Sequence, residues 1–259
     1  MTSTRRLFFL LAAGTLWLAG CSSESPAPPA VVVEITPVSN GVALKANDDV
    51  ETPAHERLEV RRLQFYLSQP RLKTAQGQWL DVRSDPSSDL GYALFDLARP
   101  ETGRFRLPPF PAGDYTEVAF TVGVDAARNR GGAQSGVLDP ARGMFWTWAT
   151  GYIHFKLEGR SPAAPGTEQA VILHLGGADV ARSIRLPLGS KPLRIRPGLQ
   201  PTLHLQADLA GFLGGPEPLS FARSASVMGG PEAVALADRL GNLLRVDHLH
   251  HEPAGAQPR

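Results

Sequence analysis

The punctuation of the chain limits its fold more than any other feature. Short apolar runs at residues 31–36, 58–67, 92–97, 104–107, 115–124, 151–157, 170–175, 183–186 and 201–207 are cut apart by turn signals. Those signals include Pro108-Pro109, Pro111-Ala112-Gly113-Asp114, Gly131-Gly132, Asp139-Pro140, Gly176-Gly177 and Pro197-Gly198. Proline has no amide proton to give a helix, and glycine loses the most backbone freedom there, so 23 Pro and 26 Gly make long helices scarce. Many short strands joined by frequent turns predict a mostly β fold, a β-sandwich-like domain. The segment 58–67 begins with strict alternation, after which its period becomes ambiguous. Only residues 231–244 break the pattern. Val234, Leu236, Ala237, Leu240, Leu243 and Leu244 form one stripe at helical spacing, which predicts a C-terminal helix packed on the sheets.

The N-terminus reads as an export leader. Arg5 and Arg6 precede an apolar run over residues 7–18, and Leu18-Ala19-Gly20-Cys21 offers a small-residue cleavage site. The run is shorter than the roughly 20 residues a spanning helix needs. The tetrad resembles the bacterial lipobox, which implies cleavage after residue 20 and a diacylglycerol on Cys21. Ser22 stands where an Asp would mark inner-membrane retention, so the resemblance implies the outer membrane, on its periplasmic side. Residues 1–20 are thus expected to be leader, 21–30 a Ser/Pro-rich tether, and 31–259 a single domain. Losing Arg5 and Arg6 leaves 24 basic against 25 acidic residues, and no basic footprint for nucleic acid. Cys21 is the one cysteine, so no disulfide can form within the chain and no thiolate is left for a metal once it is lipidated.

The motifs of common hydrolases, nucleotide-binding proteins, zinc proteases and c-type cytochromes are absent. Two features remain. Gly143-Met144-Phe145-Trp146-Thr147-Trp148-Ala149-Thr150-Gly151-Tyr152 crowds aromatics beside the run that holds His154. It reads either as a tryptophan corner covering the end of a sandwich core or as part of a site. The second feature is histidine placement: His154, His174 and His204 each lie in a predicted strand, and His248-Leu249-His250-His251 follows the predicted helix. A lone strand histidine is commonly a hydrogen-bonded structural residue, and a terminal cluster is commonly a solvated tail. Several in one small domain point to a copper- or zinc-type site.

Leu63-Gln64-Phe65-Tyr66-Leu67-Ser68, Pro111-Ala112-Gly113-Asp114-Tyr115 leading to Phe120-Thr121-Val122-Gly123-Val124, the Met144-Phe145-Trp146-Thr147-Trp148 segment, and His174-Leu175-Gly176 occur in that order. Together they resemble the family of methanobactin partner proteins, MbnP. The resemblance implies a non-enzymatic periplasmic copper-binding protein that works beside an MbnH-like dihaem enzyme of the MauG and cytochrome c peroxidase type. It implies oxidation of a tryptophan, Trp146 or Trp148, to kynurenine, which would turn a hydrophobic ring into a potential nitrogen ligand. It draws His154, His174, His248 and His250 forward as copper ligands and ranks His204 and His55 lower. Two departures are visible: Arg130 follows Asn129 where some relatives have Asn-His, and the cysteines some relatives carry in the domain are missing. A structural or adhesive β-sandwich lipoprotein, with ordinary strand histidines and no stoichiometric metal, is the rival expectation. A copper oxidase is a third, for which no sequence feature supplies turnover.

Overall fold

The computed structural model describes residues 30–81, 89–147 and 151–254. The leader, Cys21, the rest of the tether to residue 29 and Trp148 lie outside the described residues.

Strand β1 (Val32–Ser39) turns through Asn40-Gly41 into β2 (Val42–Ala43), and β3 (Asp48–Glu51) forms a hairpin with the long β4 (Arg57–Thr74). Next come β5 (Trp79–Asp81), β6 (Tyr92–Asp96), β7 (Arg104–Arg106) and β8 (Gly113–Val122). A short α1 (Ala126–Arg130), capped by the Asp125 carboxylate, leads to β9 (Phe145–Trp146), β10 (Gly151–Arg160) and β11 (Ala170–Gly176). The chain continues through β12 (Arg182–Pro187), β13 (Leu193–Ile195), β14 (Leu199–Asp208) and α2 (Leu209–Leu213), and then β15 (Ser226–Met228), α3 (Gly230–Ala237) and β16 (Leu244–Pro253).

These strands make two sheets. The smaller has the order β16-β14-β1-β2, with β7 also on β1; β1 and β14 run parallel. The larger has the path β12-β8-β4-β10-β11-β15, with short strands added to β4, β8 and β10. Alternation drives their packing. Val33, Ile35, Leu203 and Leu205 of the small sheet and Leu63, Phe65, Leu157 and Leu173 of the large one share a core, as does Phe155, which packs on Phe212 of α2 at 4.3 Å between rings. Each such side chain, fully buried, contributes about 1.5–3 kcal/mol. The fold is sandwich-like and mostly β, as the punctuation predicts.

The ambiguous period in 58–67 has a structural cause. Leu58 and Val60 face the core, and so do Leu63, Phe65 and Leu67; the phase slips by one residue at Arg61-Arg62. Pairing with β10 breaks register there, between Glu158 and Gly159. This bulge keeps both halves of β4 pointing inward. A Cβ on Gly159 would come within 2.2 Å of the Glu59 carbonyl oxygen, so the close approach needs glycine.

The expected helix is shorter than predicted. α3 ends at Ala237, and residues 238–242 tighten into a 3-10 turn carrying Gly241 and Asn242, both poor helix formers. The apolar stripe still packs, with Leu236, Ala237, Leu240, Leu243 and Leu244 all buried. The residues beyond it are no tail: they form β16, antiparallel to β14.

The aromatic segment does not close the sandwich core. Trp146, Met144, Tyr152 and Ile153 join Tyr66, Tyr92, Leu94, Val124 and Leu138 in a second apolar cluster, separate from the main one. Tyr66 and Leu94 are cross-strand partners, and Tyr66 sits between core-facing Phe65 and Leu67, so the cluster covers the outer face of the large sheet.

Candidate metal centre

On the small sheet the register does the assembling. His204 of β14 lies opposite His248 of β16, Thr202 lies opposite His250, and Glu34 of β1 lies opposite His204 on its other side. Directly paired residues point to the same face, and residues two apart share it too. Leu203, Leu205 and Leu249 take the core face, which leaves the three imidazoles on the outer one. Their candidate ligand atoms lie within 4.8 Å of one another. Pairing shifts between His204 and Leu205, leaving Asp247 as the extra residue of a bulge beside the cluster.

Each ring has a carboxylate at one nitrogen. His204 Nδ1 is 3.4 Å from Glu34, His248 Nδ1 is 2.8 Å from Asp247, and His250 Nε2 is 3.7 Å from Glu252. Arg104 pairs with Glu34 behind the first of these. The nitrogens left over are His204 Nε2, His250 Nδ1 and His248 Nε2, and the first two lie 3.0 Å apart. Two nitrogens bound to one ion at about 2.0 Å lie roughly 3 Å apart, so this pair already has the spacing of ligands. A carboxylate on the outer nitrogen fixes the tautomer and strengthens the inner one as a donor. Partial burial, then the charges its two histidine neighbours would carry, hold His204 below the ordinary imidazole value and favour its neutral form. His204 and His248 stack face to face at 4.1 Å with planes 7° apart. The His248 side chain is 56% exposed and can rotate to converge on an ion. The donor set fits copper or zinc, for which imidazole is a suitable ligand.

The other predicted ligands stand elsewhere, on the large sheet. His154 is fully buried with both ring nitrogens engaged: Nδ1 accepts from the Val124 amide at 2.9 Å, and Nε2–H donates to the Gly177 carbonyl at 2.8 Å. Burial lowers its pKa to about 4, only partly opposed by the bond to Gly177. It is a neutral strut with no nitrogen for a metal. Gly123, at φ +124°, is what lets it in, since a Cβ there would come within 2.8 Å of Nδ1. His174 is 9% exposed and donates from Nε2 to Glu158 at 2.8 Å. That bond, outweighing burial and joined by Lys156 and Arg62, holds the Glu158 carboxyl below its usual range. Thus His248 and His250 come together, and neither His154 nor His174 joins them. Their companion is His204, ranked low in the sequence reading; the available signal was an imidazole between leucines in Leu203-His204-Leu205 beside the alternating His248-Leu249-His250. His55 is exposed and pairs with Glu51. Trp146 lies flat in a slot: Cβ atoms on Gly176 and Gly229 would come within 2.6 and 3.4 Å of its ring. It borders a cleft of about 420 Å³ that Met228, Asn129 and Arg130 also line.

Comparison with known proteins adds three findings. A family model described as MbnP matches residues 28–229, a span that includes Trp146, His154, His174 and His204 and stops short of β16. No curated protein matches the chain. Among solved structures, MbnP from Methylosinus trichosporium is similar at 13% identity and a TM-score of 0.45, covering 78% of this chain and 80% of that one.

Proposed function

The chain belongs to the MbnP family, and from that premise we propose that it is an exported copper-binding protein whose ion is held by His204, His248 and His250. The observation that carries this reading is the convergence of three imidazoles on one sheet face, each backed by a carboxylate. The family's link to copper handling favours copper among the metals that suit this donor set. The role is binding and transfer of copper, with no enzymatic turnover. Asp247 accepts from His248 Nδ1–H, and Glu34 lies 3.4 Å from His204 Nδ1, so the Nε2 atoms of both rings are the ones left to meet the ion.

The same reading extends to export and maturation. Cys21 is the lipidated residue, and the lipid anchors the domain on the periplasmic side of the outer membrane. Trp146 or Trp148 is converted to kynurenine by an MbnH-like dihaem enzyme of the peroxidase type. With one cysteine and no C-x-x-C-H, the chain has no means of attaching a haem by thioether bonds and needs a partner for that oxidation. Trp146 suits the role because its ring borders an open cleft.

Copper titration against a chromophoric competitor tests the ligand set. In the His204→Gln/His248→Gln variant, one bound equivalent is expected to disappear or weaken by about a hundredfold. Unchanged stoichiometry and affinity would refute the assignment. Peptide mass analysis of protein from its native host tests the maturation step: one tryptophan should have gained an oxygen and lost a carbon.

A further inference from the structure

In β4, Arg62, Gln64 and Tyr66 alternate with core-facing Leu63, Phe65 and Leu67, so they take the outer face of the large sheet. Two other segments meet the first two of them there. The chain leaving β6 brings Asp96 and Arg99, and the turn before β9 brings Arg142 and Gly143. Together they line a cleft of about 340 Å³, with three guanidiniums and one carboxylate around one small space. A cleft dominated by one sign of charge concentrates ions of the other.

All three arginines are held in the same manner. Arg62 meets Glu158 through Nε at 3.5 Å, Arg99 meets Asp96 through Nε at 3.8 Å, and Arg142 donates from Nε to the Gly136 carbonyl at 2.7 Å. Among the described residues, none of their terminal nitrogens has a hydrogen-bond acceptor. Each tether leaves unspent the fork of Nη atoms that grips carboxylate and phosphate oxygens. The one carboxylate in the lining is already engaged, since Asp96 accepts from Gln64 Nε2 at 3.1 Å and from the Ala98 amide at 3.0 Å.

A fourth cation lies against the lining. Lys156 of β10 is the cross-strand partner of Gln64, and its ammonium donates to the Gly143 carbonyl. It is 5% exposed, and among the described residues no carboxylate forms an ion pair with it. A buried charge without a counter-ion is costly. Burial accordingly pushes its pKa down; Glu158 opposes this, Arg62 adds to it and Asp96 opposes it again. An anion in the cleft supplies the counter-charge that Lys156 lacks.

We propose that this cleft binds a compact anion with two or three negative charges on carboxylate or phosphate oxygens, gripped by the Nη atoms of Arg62, Arg99 and Arg142. Lys156 acts through its charge rather than by contact. The volume lies at the small end of ligand pockets, about 300–1,000 Å³, which suits a molecule the size of citrate or pyrophosphate. The site uses no residue of the small sheet, so it stands or falls independently of the copper reading.

The test is calorimetric titration of the metal-free chain with citrate, pyrophosphate and acetate in a low-salt buffer without phosphate. One equivalent of citrate, of pyrophosphate or of each is expected to bind, more weakly as salt rises, and the pair separates carboxylate from phosphate as the source of the charge. Acetate should bind at least about tenfold more weakly, because it engages fewer forks. Arg99→Gln and Arg142→Gln should each weaken binding about tenfold or more, and Arg142→Lys, which keeps the charge and loses the fork, should do nearly as much. Arg61→Gln, one residue from Arg62 and bonded instead to Glu59, should change nothing. Binding should also be unaltered in His204→Gln/His248→Gln, which separates the cleft from anions gathered at the imidazoles. No saturable binding of either polyanion, equal affinity for acetate, indifference to both Arg99→Gln and Arg142→Gln, or loss of binding in the histidine variant would each overturn the proposal.

Discussion

His154 and His204 are both single imidazoles in mid-strand, flanked by apolar residues, and the fold puts them to opposite uses. On the large sheet His154 is buried and gives both nitrogens to the backbone. On the small sheet His204 meets two more imidazoles at an edge strand and keeps one nitrogen aimed among them. Being a histidine in a strand decides nothing; what decides is whether main-chain groups claim the second nitrogen. His174 is intermediate, with one nitrogen claimed by Glu158 and the other unpartnered.

The comparison breaks first if His154 is dispensable. His154→Ala strands the Val124 amide and the Gly177 carbonyl and opens a cavity, so it should cost about 3 kcal/mol or more in urea unfolding. Copper stoichiometry of the folded fraction should be unchanged. His248→Ala should do the reverse, costing under about 0.5 kcal/mol of stability while weakening copper binding sharply.

Acid should separate the same two residues. His154 has a folded-state pKa of about 4 against 6.5 when free, so the unfolded chain takes up a proton that the native one refuses. Its contribution is intact above pH 6.5 and is lost as pH falls through that window, by about 3 kcal/mol in all. Unfolding free energies measured across that range should slope less steeply in His154→Gln.

Gly176→Ala sharpens the contrast on the large sheet. Its Cβ would meet the Tyr152 carbonyl oxygen at 2.7 Å and the Trp146 ring at 2.6 Å, so about 1–3 kcal/mol of stability should go, with a shifted tryptophan emission. Copper at the histidine cluster should not respond. On the small sheet, Asp247→Asn and Glu34→Gln should each weaken copper binding by about tenfold, with unfolding little affected.

Much of this is legible in the amino-acid sequence. Alternating apolar residues and Pro/Gly turns located the long strands, because burial on one face leaves a period of two in the sequence. The bulge in β4 showed as a broken period without disclosing its cause. β16 was hidden because Asp247, His248, His250 and His251 carry the polar character of a tail, and only pairing with β14 gives that segment its role. The helix was overextended because the stripe continued through Leu240 and Leu243 while Gly241 and Asn242 weakened it. At the site, His248 and His250 were found from their spacing, but His204 needed the strand register. His154 looked equally promising, since its partners are main-chain groups that no sequence pattern marks.

Anomalous diffraction at the copper edge, from crystals grown with one equivalent of copper, tests the central claim most directly. The account predicts a peak bounded by His204, His248 and His250 on the outer face of the small sheet. A sole peak beside His154, or copper scattered over surface carboxylates with none at the cluster, would contradict it.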